Sequence, residues 1–379
     1  MPPAARHPGS RTTPAASHRP GPDPDRFAEL LCDWCIAARP GDQVLIGLTL
    51  QALPLVRSLH SALLEREAWP LISLAASELA PDFYRHARAA QLDSYAPIEL
   101  LEVQQADAVI GITAPANTRA LASVDPELIA RAGRARAEVR EARLATRWCG
   151  TVWPTPALAQ QAAMGEDEYA TFVTRALFLD RPDPAGAWRE LSASQQQLVE
   201  RLSEAREIRI EADGTDLTLR VDERTWINSD GKHNMPSGEV FSGPLEDSAN
   251  GRIRFSVPTS PRGVDVAGVE LSFCDGEVVE ARADRGDHYL QVALDTDPGA
   301  RRLGELGSGT NPGIDRATGL VLLDEKIAGT VHLALGRSYP ETGGRNSSAL
   351  HWDLICDLRQ GGRLSADGQV LNENGNFVE

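Results

Sequence analysis

Basic charge is scarce in this chain: 38 Lys and Arg stand against 54 Asp and Glu, a formal net charge of −16 over 379 residues. No Lys/Arg block rises above that acidic background, which argues against a general nucleic-acid binder. No apolar run approaches the roughly 18 residues needed to cross a bilayer. Cysteine is sparse, scattered and odd in number (Cys32, Cys35, Cys149, Cys274, Cys356), which fits a reducing cytoplasm. Cys32-Asp-Trp-Cys35 has the form of a redox motif. It lies inside a helical pattern, with Phe27, Leu31, Trp34 and Ala38 on one face, so both cysteines read as packing residues. Neither GxGxxG nor GxxxxGK[ST] follows any candidate strand. The N-terminal half therefore has no phosphate-cradling loop, and a scaffold or oligomerisation role suits it better. Met1 to Pro22 lacks the apolar core of a secretion signal and has no acid, which predicts a disordered tail over residues 1–22.

What is present is ordinary for a globular protein, 42% apolar and 24% charged residues, in a length that suits two domains. From Pro24 on, helical patterns alternate with short apolar runs: Gln43 to Leu48, Pro70 to Leu74 and Asp107 to Ile112. This predicts an α/β N-terminal domain, a parallel sheet with flanking helices. Leu128 to Leu144 reads as one amphipathic helix, and Trp148 to Pro156 as a change of register. Helical patterns over Glu166–Leu179 and Trp188–Ala205 follow. From Glu207 the texture turns to β, with EIRIEA, DLTLRV, RIRFSVP, GVELSF and EVVEARA alternating apolar and polar residues. The expected division is residues 23–190 and 191–379, the second a β-rich α+β catalytic domain.

The densest chemistry lies between Asp324 and Asp353: Glu325, His332, Tyr339, His351 and Asp353. The residues around His332 and those from Ala349 to Ile355 read as two buried strands, joined by a turn over Pro340 to Asn346. His351 and Asp353, two apart, would share one strand face. A lone histidine on a strand is more often a core residue than a ligand, and His-x-Asp alone is a weak signal. Two imidazoles and several carboxylates between apolar strands point further, since buried ionisable groups are costly unless paired or metal-bound. Two remote carboxylates, Glu239 in NMPSGEVFSGP and Glu305 in LGELGSGTNPG, sit among Gly, Pro and Ser in what read as loops. Small residues there would let a ligand or metal approach closely. His233 and His288 read as loop or surface groups, and Trp148, Trp153 and Trp352 as packing; Lys326 and Arg337 flank the site and could steer a carboxylate, though solvated charges explain them as well.

Taken together, TRWCGTVWPTPALAQ, EDEYATFV, GTDLTLRV, NMPSGEVFSGP, LGELGSGTN, DEKIAGTVHLALGRSYP and SALHWDLI resemble the thermophilic-type metallo-aminopeptidases, the aminopeptidase T and S family. The resemblance spans nearly the whole chain after residue 22. It implies that Glu239, Glu305, Glu325, His332, His351 and Asp353 hold two divalent ions (Zn, Co or Mn), and that Tyr339 is a catalytic tyrosine. It also implies a homodimer acting on peptides with a free N terminus. One departure is visible: the interval from Glu325 to His332 is about two residues longer than usual, which makes Glu325 the least secure ligand.

Two bridged ions would lower the pKa of a water from about 15.7 towards neutrality and polarise a scissile carbonyl. Glu305 would be the bridge or general base, and the Tyr339 phenol would hydrogen-bond the developing oxyanion. A rival uses the same residues. His332, His351 and Asp353 form a 2-His-1-carboxylate set of the kind found in mononuclear non-haem Fe(II) ring-cleaving dioxygenases, dihydroxypyridine enzymes on a similar fold among them. A binding or assembly protein that has kept the fold is the third reading.

Overall fold

Short apolar runs such as QVLIGL and AVIGIT lack the length of a buried helix and suit strands covered on both faces. The computed structural model describes residues 21–378, so the expected tail lies outside it apart from Gly21 and Pro22. Five parallel strands run in the order Trp69–Leu74, Gln43–Leu48, Ala108–Thr113, Arg147–Val152 and Asn234–Met235. On one face Val44, Ile46, Ile110 and Ile112 pack with Phe27, Leu55, Leu59 and Phe172 from helices Pro24–Leu30, Leu53–Glu65 and Glu166–Ala176. On the other, Leu45 and Val109 meet Val103, Val139 and Ala142 from helices Pro97–Gln105 and Ala137–Leu144.

Helix Pro184–Ser203 starts at Asp183, whose side chain accepts from the Gly186 N–H. Its first turns place Trp188 in the core of the parallel sheet, and its last place Leu198, Val199 and Leu202 in a second core. That second core lies between two antiparallel sheets. The larger has eight strands, from Glu277–Arg282 at one edge to Asn376–Phe377 at the other. The smaller has the order His351–Asp357, Thr330–Gly336, Leu303–Gly309, Glu239–Ser242 and Ile227–Ser229. Val331, Leu333, Leu335, Leu354 and Leu306 turn one face of the smaller sheet to this core. The alternation of side chains leaves the opposite face for the site.

Several local expectations change. The stretch Leu128 to Leu144 is two helices, Pro126–Ala135 and Ala137–Leu144, because the backbone at Arg136 leaves helical geometry (ψ 16°). Arg147–Val152 is an inner strand of the parallel sheet, not a change of register. The apolar strand at Trp69–Leu74 is an edge strand, so Trp69, Leu71, Ile72 and Leu74 stay exposed. Glu239 and Glu305 lie in strands rather than loops. The Cys32–Cys35 pair sits in a helical segment within the core, and burial pushes the Cys32 thiol up to about 12.

A candidate metal centre on the smaller sheet

Three neighbouring strands carry the donors because their side-chain alternation agrees. In Thr330–Gly336, His332 and Ala334 face away from the core. In His351–Asp357, so do His351 and Asp353, while Trp352 lies in the core with Leu354. In Leu303–Gly309 a bulge between Leu303 and Glu305 lets Leu303 and Leu306 share the core side, which sends Glu305 and Gly307 to the site face. The register sets Gly307 opposite His332 and Ala334 opposite Asp353, so small residues stand between the large donors. A side chain at 307 has no room: its Cβ would lie 2.1 Å from His332 Nε2.

The distances are those of a converging cluster. His332 Nε2 is 3.3 Å from Glu305 Oε1 and 3.4 Å from Glu239 Oε2. His351 Nε2 is 3.6 Å from Glu305 Oε2 and 3.6 Å from Asp353 Oδ2. The donors fall into two groups, Glu239, Glu305 and His332 in one and Glu305, His351 and Asp353 in the other, each with ligand atoms within 4.8 Å of one another. His351 donates its Nδ1–H to the Arg337 carbonyl (2.8 Å), which fixes the tautomer with Nε2 free towards the carboxylates. The Tyr339 hydroxyl is 3.4 Å from the same Nε2.

These residues fit a metal. Glu239 Oε2, Asp353 Oδ1 and His332 Nδ1 are buried and make no hydrogen bond with the described residues. Orphaned buried carboxylate oxygens are rare unless a cation or water completes them. Imidazole nitrogen with carboxylate oxygen is a donor set for divalent Zn, Co or Mn. The electrostatics match. Burial raises the Glu305 carboxyl above its ordinary value. Burial opposes a charge on His332, yet Glu305 and Glu239 overcome it and raise the imidazole to about 9. For His351, burial again opposes the charge, and Asp353 and Glu305 still raise it. Burial, reinforced by Glu305 and Asp353, pushes the Tyr339 phenol well above its usual range, so it stays neutral.

Glu325 stands apart. It belongs to neither donor group, and its carboxylate pairs with the Lys326 ammonium. Burial above all pushes it up to about 8. Lys326 corrects the sequence reading most sharply: far from a solvated charge, it is fully buried, with Nζ 3.2 Å from Glu239 Oε1. Arg337 is half-buried; its backbone carbonyl accepts from His351 Nδ1–H, and its charge opposes the rise at the Tyr339 phenol. His233 falls in neither donor group and stacks on Trp148 with ring centroids 5.0 Å apart, and both line the cavity of about 650 Å³ over the donors. Gln195 donates to the Glu239 carbonyl and so fixes that strand from the long helix. Nothing in the sequence marked Gln195. Gly307 had a signal, the three glycines of LGELGSG.

The sequence profile of the family described as thermophilic metalloprotease (M29) matches residues 23–377. Among curated relatives, "Aminopeptidase 2" of Geobacillus stearothermophilus is 32% identical, over 93% of this chain and 97% of its own. "Aminopeptidase T" of Thermus thermophilus is 30% identical, over 68% of this chain and 71% of its own. The solved structure of wild-type AmpT from Thermus thermophilus superposes with a TM-score of 0.82 at 25% identity, covering 94% of this chain and 99% of that one. The architecture expected from the sequence, a parallel α/β part followed by a β-rich part, is thus also that of a solved relative. The chain belongs to the thermophilic metalloprotease family M29, and is a metal-dependent hydrolase of that family.

Proposed function

We propose that this chain is an aminopeptidase that uses two divalent ions, one held by Glu239, Glu305 and His332 and the other by Glu305, His351 and Asp353. The observation that carries this reading is the sharing of Glu305 by both donor groups, through different carboxylate oxygens in its contacts with the two histidines. The rival iron reading has less support, since His332, His351 and Asp353 do not form one donor group among the described residues.

When bound, the ions supply Lewis acidity, lowering the pKa of a water and polarising the scissile carbonyl. The protein does the rest. Glu305 is shared by both donor groups, and its carboxyl, raised by burial, serves as the bridge or as the general base that accepts the water proton and passes it to the leaving amine. Tyr339 stays neutral and offers its hydroxyl to the developing oxyanion without adding charge. Edge-on contacts of its ring with Phe241 and His351 hold that hydroxyl at the site. Residues 191–379 carry this chemistry, and residues 23–190 supply part of the cleft wall through Trp148.

The same reading makes the protein a cytoplasmic homodimer acting on peptides with a free N terminus. Five free cysteines suit a reducing compartment, and the exposed apolar edge strand Trp69–Leu74 offers a surface for assembly. Metal analysis combined with a panel of aminoacyl amides, repeated on Glu305→Gln, tests the proposal. Two zinc, cobalt or manganese ions per chain and amide cleavage lost in the variant are expected. One iron per chain with O₂ uptake, or no cleavage under any divalent metal, would refute it.

A further inference from the structure

The donors have a cavity on each side. The first, of about 650 Å³, is strongly acidic: Asp230, Glu239, Glu305, Glu325, Glu341 and Asp353 all line it. The second, of about 590 Å³, shares Val321, His351 and Asp353 with it but is otherwise different. Among the described side chains, Asp353 is the only Asp, Glu, Lys or Arg in its wall, and Asn117, Thr118, Leu121, Leu158, Ser260 and Leu350 are typical of the rest.

This second cavity runs along the edge of the smaller sheet, for the His351–Asp357 strand is outermost there. In an antiparallel pair, alternate residues turn their N–H and C=O away from the neighbouring strand. Leu350 O accepts from Arg337 N on the inner side, whereas Ile355 O accepts from Val257 N (3.2 Å) and Asp357 N donates to Ser256 Oγ (3.0 Å) on the outer side. By that alternation the backbone groups of Asp353 and His351 also point outward. No described residue pairs with them on that side. An unpaired strand edge that faces a cavity is a template for another extended chain.

We propose that this edge is the subsite for the departing side of the substrate: the peptide beyond the scissile bond lies in the neutral cavity as an added strand, paired to the outward backbone of Asp353 and His351. The inference rests on the aminopeptidase reading and gives it a direction. The substrate ammonium belongs in the acidic cavity, and the uncharged chain behind it in the neutral one. Because backbone groups make the contacts, the subsite selects for extended peptide and against short amides, with little regard for side chains.

The test is kcat/KM of the metal-loaded enzyme on an amidated alanine series, from alanyl amide to tetra-alanine amide. Each backbone hydrogen bond is worth up to about a factor of ten, so an increase of about tenfold with length is expected. N-methylation of the third residue's amide should abolish that gain. So should Leu121→Trp, which fills the cavity, while alanyl amide is cleaved as before. Cleavage of alanyl amide with no gain from length, or a gain that survives both changes, overturns the added strand alone. No cleavage of any member under any divalent metal overturns the aminopeptidase reading, and the added strand with it.

Discussion

Lys326 and Glu239 form a buried ion pair, Nζ to Oε1 at 3.2 Å, in which the lysine has no exposed surface and the glutamate almost none. Burial alone would favour a neutral amine, but Glu239 and Glu325 raise its pKa and keep it an ammonium. Removing one partner of such a pair strands the other charges, at a cost of about 3–5 kcal/mol. Lys326→Met should therefore destabilise the metal-free protein by that order, and the metal-loaded protein by clearly less, since bound cations compensate the same carboxylates. Urea denaturation with chelator and with saturating divalent metal measures both. A loss under about 1 kcal/mol in each would show that the pair is dispensable.

Gly307 makes a different demand, one of space. Its missing side chain is what admits the His332 imidazole, the opposing Nε2 lying 2.1 Å from where a Cβ would be. Gly307→Ala must push the ring away from Glu305 and Glu239. The strand remains intact, because alanine is tolerated there conformationally. The expected outcome is a protein that keeps its circular dichroism spectrum but loses at least one metal equivalent and about 100-fold or more in activity, a size typical of misplaced catalytic geometry. Unchanged metal content would contradict it.

Much of this site was legible because β-sheet periodicity is simple. His351 and Asp353 are two apart on a strand with apolar alternates, and the Gly-rich turn after Tyr339 fixed the pairing with the His332 strand. Glu239 and Glu305 stand out in the sequence only as acids among small residues, a texture that reads as loop because glycine usually weakens a strand. Here the glycines serve close approach, at Gly307 to an imidazole and at Gly309 to the Ile327 carbonyl. The burial of Lys326 is hidden in the sequence for a plainer reason. A lysine after two acids looks solvated in a linear sequence, and only the fold brings Glu239 from 87 residues away to bury it. The fifth parallel strand, Asn234–Met235, is two residues long and has no pattern to detect.

The metal-free protein should weaken as pH rises. His332 is raised from 6.5 to about 9 and Glu325 from 4.5 to about 8, so the folded state holds protons that the unfolded chain has released. The His332 contribution is complete below pH 6.5 and is lost as pH climbs through about 9. A protonated Glu325 contributes in the same direction, and its contribution is lost through about pH 8. Each shift is worth on the order of 3–5 kcal/mol at most, at about 1.4 kcal/mol per unit. A divalent ion displaces the same protons, so metal affinity should rise over this interval and the loaded protein should escape the loss. Denaturation at pH 6, 7.5 and 9 with chelator should show falling stability. A flat or rising profile would mean that the cluster does not hold these protons.

Glu325 offers the cleanest separation between a ligand and a neighbour of ligands. It lines the same acidic cavity as Asp353, yet its carboxylate is turned to Lys326 and it falls outside both donor groups. If that pairing is its role, Glu325→Gln should keep the full metal content, because the amide oxygen can still accept from the ammonium. Because burial holds Glu325 protonated up to about pH 8, the neutral amide should also leave stability below that pH nearly unchanged. Asp353→Asn should behave in the opposite way: a carboxylate with an orphaned buried oxygen loses its charge, and with it the second metal equivalent. Metal analysis of both variants after dialysis, beside their melting curves, decides the matter. Loss of an equivalent in Glu325→Gln would make Glu325 a ligand that reorients on metal binding, with Lys326 its partner only in the metal-free protein.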